Sequence, residues 1–203
     1  MSLNFIKETR GKKTRSQVMV PVITEKKKYT YEDYLKTPDD KRYELITGEL
    51  LMTPSPVPKH QSVSIELALR IKQFTTINNL GKVFCAPCDV YFDEENVVQP
   101  DILFISKNRL NSIGQKNIQG APELIIEIIS EYSVYRDMVQ KKKLYARFGV
   151  KEYWIVLPDE KEIEVYILKD TLYQSYQTYG KADTLESPTL KGLQIVLKEI
   201  FSE

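Results

Sequence analysis

The segments VVQPDILFI (residues 97–105) and PELIIEIIS (residues 122–130) decide the fold, because each is a strand-sized apolar run that carries an acid. Asp101 opens the apolar run ILFI, and Glu127 interrupts a run too apolar for a solvated strand. A buried carboxylate is normally paired, protonated or bound to a cation, since an unpaired one is costly. Two such carboxylates that converge would suit a hard divalent cation. The alternative places Glu127 on an exposed strand face and Asp101 in a turn.

A helix is predicted from about residue 133 to Phe148, because Gly149 follows as a stop signal. One stripe of this helix, at spacings of 4, 3, 4 and 3, is apolar except for one lysine: Val134, Met138, Lys141, Tyr145 and Phe148. Lys141 is the one charge in that stripe, so it is predicted to face the sheet and to need a nearby carboxylate. A purely structural ion pair with Glu127 remains an alternative, as does a helix that presents its lysines to solvent.

The rest of the chain alternates strand and helix signals without a regular βαβ rhythm. A helix is predicted from His60 to Leu80, and RYELITGELLM predicts two strands around Thr47-Gly48. Residues 82–92 and 97–106 predict two strands of one hairpin, and the segments after residue 151 predict an antiparallel meander. This order favours a single mixed α/β (α+β) domain.

Charge is distributed unevenly along the 203 residues. Residues 1–28 hold eight lysines and arginines against two glutamates, a net charge of +6 that leaves −5 on the remaining 175 residues. We therefore predict a basic, flexible leader at 1–28 and one domain at 29–203. A leader that contacts phosphates is the alternative.

Composition excludes several classes of protein. With 42% hydrophobic and 28% charged residues the chain is not disordered throughout, and no apolar run is long enough for a membrane span. Two cysteines and one histidine cannot supply a four-ligand zinc site or a disulfide framework, which favours a cytoplasmic protein. Cys85 and Cys88 lie in a predicted strand and are interpreted as buried, inert thiols rather than a redox pair.

Four segments in the same order resemble the Uma family of predicted restriction endonucleases, a branch of the PD-(D/E)XK nuclease superfamily. They are RYELITGEL with the following PSPVPKH, then VVQPDILFI, PELIIEIIS and RDMVQKKKLYARFGVKEYWIVLP. The resemblance covers roughly residues 29 to 200. It implies a restriction-endonuclease-like core, a central mixed β-sheet flanked by helices, with a metal site at the open end of the sheet.

The resemblance also implies roles for particular residues. Asp101 matches the PD aspartate and Glu127 the acid of the (D/E)XK strand, both metal ligands. The parent motif has a lysine two residues on, where this chain has Ile129. The Uma pattern takes its lysine from the next helix, at Lys141, and an N-terminal acid near the site matches Glu44.

These matches lead to a hypothesis of a Mg2+-dependent DNA endonuclease, in which Mn2+ can substitute and a homodimer is expected from the superfamily. Asp101, Glu127 and Lys141 are sufficient in type for metal-assisted phosphodiester hydrolysis. The alternatives are a nuclease-fold module that binds nucleic acid or protein without turnover, and a hydrolase of another phosphate substrate. The match at His60 implies no definite role; a helix-start cap or packing is favoured over a catalytic base.

Overall fold

The computed structural model describes residues 27–129 and 135–202. Residues 1–26 of the predicted leader lie outside the described residues, as do Ser133 and Val134 of the predicted second helix. The domain boundary after residue 28 therefore stays a prediction. No helix within the described ranges is both long and apolar enough to cross a membrane.

The described chain contains thirteen strands and four α-helices. The strands are β1 (Arg42–Ile46), β2 (Glu49–Thr53), β3 (Gly81–Cys85), β4 (Val90–Asp93), β5 (Asn96–Val98), β6 (Ile102–Ser106), β7 (Ile118–Gln119), β8 (Leu124–Ile128), β9 (Glu152–Leu157), β10 (Glu162–Lys169), β11 (Leu172–Gly180), β12 (Thr184–Glu186) and β13 (Gln194–Val196). The helices are α1 (Tyr31–Tyr34), α2 (Pro58–Ile77), α3 (Tyr135–Phe148) and α4 (Leu197–Ile200), with a 3-10 helix at Lys107–Ser112.

The larger sheet has six strands in the order β11-β10-β9-β8-β6-β3. It is mixed, because β8 and β9 run parallel while the other neighbours are antiparallel. Every residue of β8 is buried, since both faces of the strand are covered. The described part of the chain thus confirms the predicted mixed α/β fold, with β9, β10 and β11 as the predicted antiparallel meander.

The two faces of this sheet form separate cores. One face packs against α2, whose Val63, Leu67 and Ile71 meet residues such as Ile126 and Trp154. The opposite face packs against α3 and the smaller sheet: Leu103, Ile125 and Ile155 cluster there with Ile46, Val98, Leu144 and Tyr145. Strand alternation assigns Glu127 to this second face, because Ile126 and Ile128 belong to the first.

A smaller sheet of five strands, in the order β2-β1-β5-β4-β7, corrects the prediction of one hairpin over residues 82–106. The predicted pairing is right, since β3 pairs with β6 and β4 with β5. Each predicted strand, however, is interrupted, and its two halves lie in different sheets. Pro87 and Pro100 lie in the interruptions, where a residue without a backbone N–H removes no ladder hydrogen bond.

The predicted turns and helix ends agree closely with the structure. Thr47 and Gly48, with φ of 55° and 78°, connect β1 and β2, as a type I′ hairpin turn requires. Gly149, with φ of 85°, follows the end of α3. Helix α2 begins at Pro58 rather than His60, because proline is favoured in the first turn of a helix. It ends at Ile77 rather than Leu80.

The two cysteines differ from the prediction of buried thiols. Cys85 is exposed and Cys88 is half-buried, and both are free. Partial burial raises the pKa of each thiol, which favours the protonated and less reactive form. The prediction of a buried thiol is wrong for Cys85, because this residue lies at the end of β3, where the strand leaves the sheet.

Candidate active site

Two strands of the larger sheet bring Asp101 and Glu127 to the same end. The antiparallel register pairs Ile102 of β6 with Ile126 of β8, so Asp101 and Glu127 are the next residues at this end. Oδ2 of Asp101 accepts a hydrogen bond of 2.8 Å from the backbone N–H of Ile128. That bond fixes the Asp101 carboxylate against β8, beside the Glu127 side chain.

Lys141 of α3 lies between two carboxylates. Its Nζ is 3.0 Å from Oε1 of Glu127 and 2.8 Å from Oε1 of Glu44. Tyr145, one turn further along α3, donates a hydrogen bond of 2.5 Å to the same Glu127 oxygen. The stripe of α3 that packs on the sheet therefore presents both Lys141 and Tyr145 to Glu127, as i, i+4 neighbours on one helix face.

Glu44 reaches this cluster from the smaller sheet. It is held on β1, and its Oε1 also accepts a 2.8 Å hydrogen bond from the backbone N–H of Gln99. Gln99 lies in the connection between β5 and β6, where the chain passes from the smaller sheet to the larger one. The cluster thus forms at the crossing point between the two sheets.

His60 is attached to the cluster through Asp101. Its Nε2 donates a hydrogen bond of 3.1 Å to Oδ2 of Asp101, and its Nδ1 is buried without a hydrogen bond in the described part of the chain. His60 lies in the first turn of α2. Among the described residues no side-chain hydrogen bond caps the start of α2, and the contact with Asp101 places the His60 ring where it can orient that carboxylate.

The electrostatics of the cluster are dominated by its carboxylates. Burial raises the pKa of Glu127 to about 7; Lys141 opposes this rise, and the charges of Asp101 and Glu44 add to it. Burial disfavours the ammonium of Lys141, but the two glutamates outweigh it and raise the pKa of Lys141. Burial also lowers the pKa of His60, but its hydrogen bond to Asp101 and the Asp101 charge produce a net rise.

The cluster lines a cavity of about 150 Å³, together with His60 and the segment Thr53–Pro56. Asp101 and Glu127 each use one carboxylate oxygen for contacts within the described chain, and their second oxygens accept no hydrogen bond there. No group of three or more His, Cys, Asp or Glu side chains is arranged to hold a metal ion within residues 27–129 and 135–202. Asp101 and Glu127 nonetheless supply two carboxylates, and Mg2+ can bind one or two carboxylates and complete its coordination with water.

The structure brings together all four residues that the sequence singled out: Glu44, Asp101, Glu127 and Lys141. Their roles as metal ligands or catalytic groups stay predictions. Three further participants were not identified from the sequence alone: Gln99, Tyr145 and Arg42. Helix periodicity could have indicated Tyr145, which lies four residues after Lys141. Strand alternation could have indicated Arg42, which lies two residues before Glu44. Gln99 carries no such signal, because its contacts depend on the crossing between sheets.

The fold is shared with a solved structure. A crystal structure described as "a putative nuclease belonging to DUF820", from Anabaena variabilis ATCC 29413, superposes with a TM-score of 0.72 at 21% sequence identity, covering 85% of this chain and 97% of that chain. The chain belongs to the Uma2 family, described as "Putative restriction endonuclease", whose model matches residues 31–198. No curated protein matches the sequence. These comparisons confirm the family and the fold class inferred from the sequence.

Proposed function

We propose that this protein is a Mg2+-dependent DNA endonuclease, with Asp101 and Glu127 as metal ligands and Lys141 and Glu44 as further catalytic residues. The observation that carries the proposal is the contact of Lys141, whose side chain is only 13% exposed, with two buried carboxylates, close to Asp101 at the start of the neighbouring strand. When all these groups are ionised, three carboxylates face one ammonium, and the surplus negative charge favours a divalent cation.

Each residue of the cluster has a distinct task in this proposal. Bound Mg2+ would polarise the phosphate and lower the pKa of a coordinated water. Asp101 and Glu127 would hold the ion through the oxygens that make no protein contact. Lys141, charged because two glutamates surround it, would orient the attacking water and balance the charge that develops on the phosphate. Glu44 would keep the Lys141 ammonium at a fixed position between β1 and β8.

Plasmid nicking in Mg2+ and in Mn2+ tests the proposal. Glu127→Gln keeps the size of the side chain but removes the charge of a proposed ligand. Lys143→Ala is the matched control for Lys141→Ala, because Lys143 is exposed two residues along the same helix. We expect the wild type and Lys143→Ala to nick the plasmid, whereas Glu127→Gln, Lys141→Ala and wild type with chelator do not.

The opposite result has a defined meaning. If folded wild-type protein binds Mn2+ and cleaves no more than Glu127→Gln, the endonuclease proposal is wrong. DNA binding that survives Asp101→Ala would then support the nuclease-fold binding module. Turnover of a different phosphate ester that depends on Glu127 would support the other hydrolase.

Three further features of the proposal concern the setting of the enzyme. The family match supports DNA as the substrate, and a homodimer is expected from the superfamily, whose members often work as dimers when they cut both strands. Sedimentation with and without duplex DNA tests the oligomeric state. A cytoplasmic location is proposed because the chain has only two cysteines and so cannot supply a disulfide framework.

A further inference from the structure

A second cavity adjoins the candidate active site. It shares Arg42, Pro56, His60 and Asp101 with the first cavity, and its volume is about 430 Å³ against about 150 Å³. Clefts that hold drug-sized ligands enclose roughly 300–1,000 Å³. The second cavity is therefore large enough for a nucleotide unit, and the first is suited to an ion, water and a phosphate group.

The walls of the second cavity come from α2 and β3. Ser64, Ala68 and Lys72 line it from α2, at the four-residue spacing of one helix face, and Val83 and Cys85 line it from β3. Its lining combines apolar surface with hydroxyl, amide and cationic groups. This combination suits a polynucleotide strand, which presents both base surfaces and phosphates.

Charge distinguishes the two cavities. The first is lined by Glu44, Asp101 and Glu127, whereas Asp101 is the one carboxylate in the second, where Arg42 and Lys72 supply cations. Within residues 27–129 and 135–202, neither cation forms an ion pair. Two cations against one carboxylate leave the second cavity with a net positive charge.

Arg42 is held in place by a hydrogen bond to a neutral side chain, which does not neutralise its charge. Its Nε donates a hydrogen bond of 3.0 Å to Oε1 of Gln99, and Gln99 is itself fixed by a 2.8 Å hydrogen bond from its Nε2 to Asp89. No hydrogen bond from the terminal nitrogens of Arg42 is present in the described part of the chain. A guanidinium fixed through Nε keeps its outer donors for a planar, bidentate contact with a phosphate.

We propose that the second cavity binds the DNA strand adjoining the scissile phosphodiester, with Arg42 and Lys72 contacting its phosphates. The inference rests on the proposed nuclease function, because Asp101 lines both cavities and so places the second one next to the bond that would be cut. Arg42 contacts the phosphate at the junction, and Lys72 contacts one further along the strand.

Binding of a fluorescently labelled DNA duplex in Ca2+, measured by anisotropy over a range of salt concentrations, tests the inference without requiring cleavage. We expect Arg42→Ala and Lys72→Ala each to weaken binding about tenfold. Each should also reduce the slope of log affinity against log salt by about 0.9, since each loses one phosphate contact. A change confined to folding would lower the active fraction and leave that slope unchanged.

Two control variants match these substitutions. Lys82 lies on β3 beside Val83, and strand alternation places it on the opposite face from the cavity. Arg147 of α3 is 62% exposed and pairs with Asp93, outside both cavities. Lys82→Ala and Arg147→Ala should retain the wild-type affinity and slope. Arg42→Lys, which keeps the charge, should retain the slope with weaker binding because it lacks the Nε contact.

The outcomes separate this inference from the proposed function. Wild-type affinity and slope in both Arg42→Ala and Lys72→Ala overturn it, even if the enzyme cleaves DNA and Glu127→Gln does not. An effect of Arg42 alone also overturns it, since Arg42 lines the first cavity as well. A wild type that binds no duplex overturns it outright. DNA binding that depends on both cations, in a protein that cleaves nothing, supports DNA binding by the second cavity and refutes the nuclease proposal.

Discussion

Replacing Lys141 by methionine removes the ammonium that separates two buried carboxylates. The side chains of Lys141, Glu127 and Glu44 are only 13%, 9% and 8% exposed, so water cannot fully replace the lost contacts. Removing one partner of a buried ion pair costs about 3–5 kcal/mol. The cavity beside the cluster gives some access to solvent, which favours the lower end, about 3 kcal/mol.

Urea unfolding followed by fluorescence of the buried Trp154 measures this cost, because Trp154 lies in the core of the larger sheet. In thermal unfolding, a loss of about 3 kcal/mol should lower the melting temperature by roughly 6–12 °C, at about 2–4 °C per kcal/mol for a chain of this length. Lys143→Met, an exposed position on the same helix, is the matched control and should stay within about 0.5 kcal/mol of the wild type. All measurements are made with chelator, so that bound metal does not contribute.

A double-mutant cycle identifies the partner. Glu44→Gln combined with Lys141→Met should lose at least about 1 kcal/mol less than the sum of the single variants, because the second substitution removes a carboxylate that the first left unpaired. Equal stability of Lys141→Met and Lys143→Met would refute the assignment of Lys141 as a buried, ion-paired lysine. Strict additivity would show that its 2.8 Å contact with Glu44 contributes nothing.

Further predictions concern the groups around the cluster. His60→Ala should raise the Mg2+ concentration for half-maximal cleavage about 10- to 100-fold, as loss of an outer-shell partner does, and an unchanged metal requirement would contradict the orientation of Asp101 by His60. Tyr145→Phe should lower the free energy of unfolding in urea by about 1.5–3 kcal/mol, because the Tyr145 hydroxyl donates to a carboxylate. The control is Tyr43→Phe, at a position outside both cavities. A smaller loss for Tyr145→Phe than for Tyr43→Phe would contradict a stabilising contribution of this hydrogen bond. Glu152→Ala should destabilise the fold by at least about 3 kcal/mol, since its fully buried carboxylate accepts three hydrogen bonds, yet leave cleavage by the folded fraction unchanged.

The convergence of Glu127 and Lys141 could be predicted from local patterns because each of these residues breaks a pattern. Glu127 is the charge inside an apolar strand, and Lys141 is the charge inside an apolar helix stripe. Burial of such groups requires partners, so their convergence could be anticipated before any contact was known. Glu44 was reached through the family resemblance, since an acid in a half-buried hairpin strand gives no comparable signal.

The division into two sheets could not be predicted in the same way. Residues 82–92 and 97–106 each look like continuous strand sequence, and their pairing with each other is local. Which sheet each half joins depends on distant partners: β1 for β5, and β8 for β6. The role of Gln99 follows from that assignment, since its backbone N–H meets Glu44 where the chain passes between the sheets.

The placement of the carboxylates on two sheets makes the geometry of the cluster depend on how closely the sheets are docked. Glu44 moves with β1, whereas Asp101 and Glu127 move with β6 and β8. If α3 stayed with the larger sheet, a slight opening of the interface would lengthen the Lys141–Glu44 contact while both sheets kept their internal hydrogen bonds. The contacts of the cluster therefore depend on the spacing between the two sheets. We expect local separation of the sheets to break these contacts well before the strands themselves unfold.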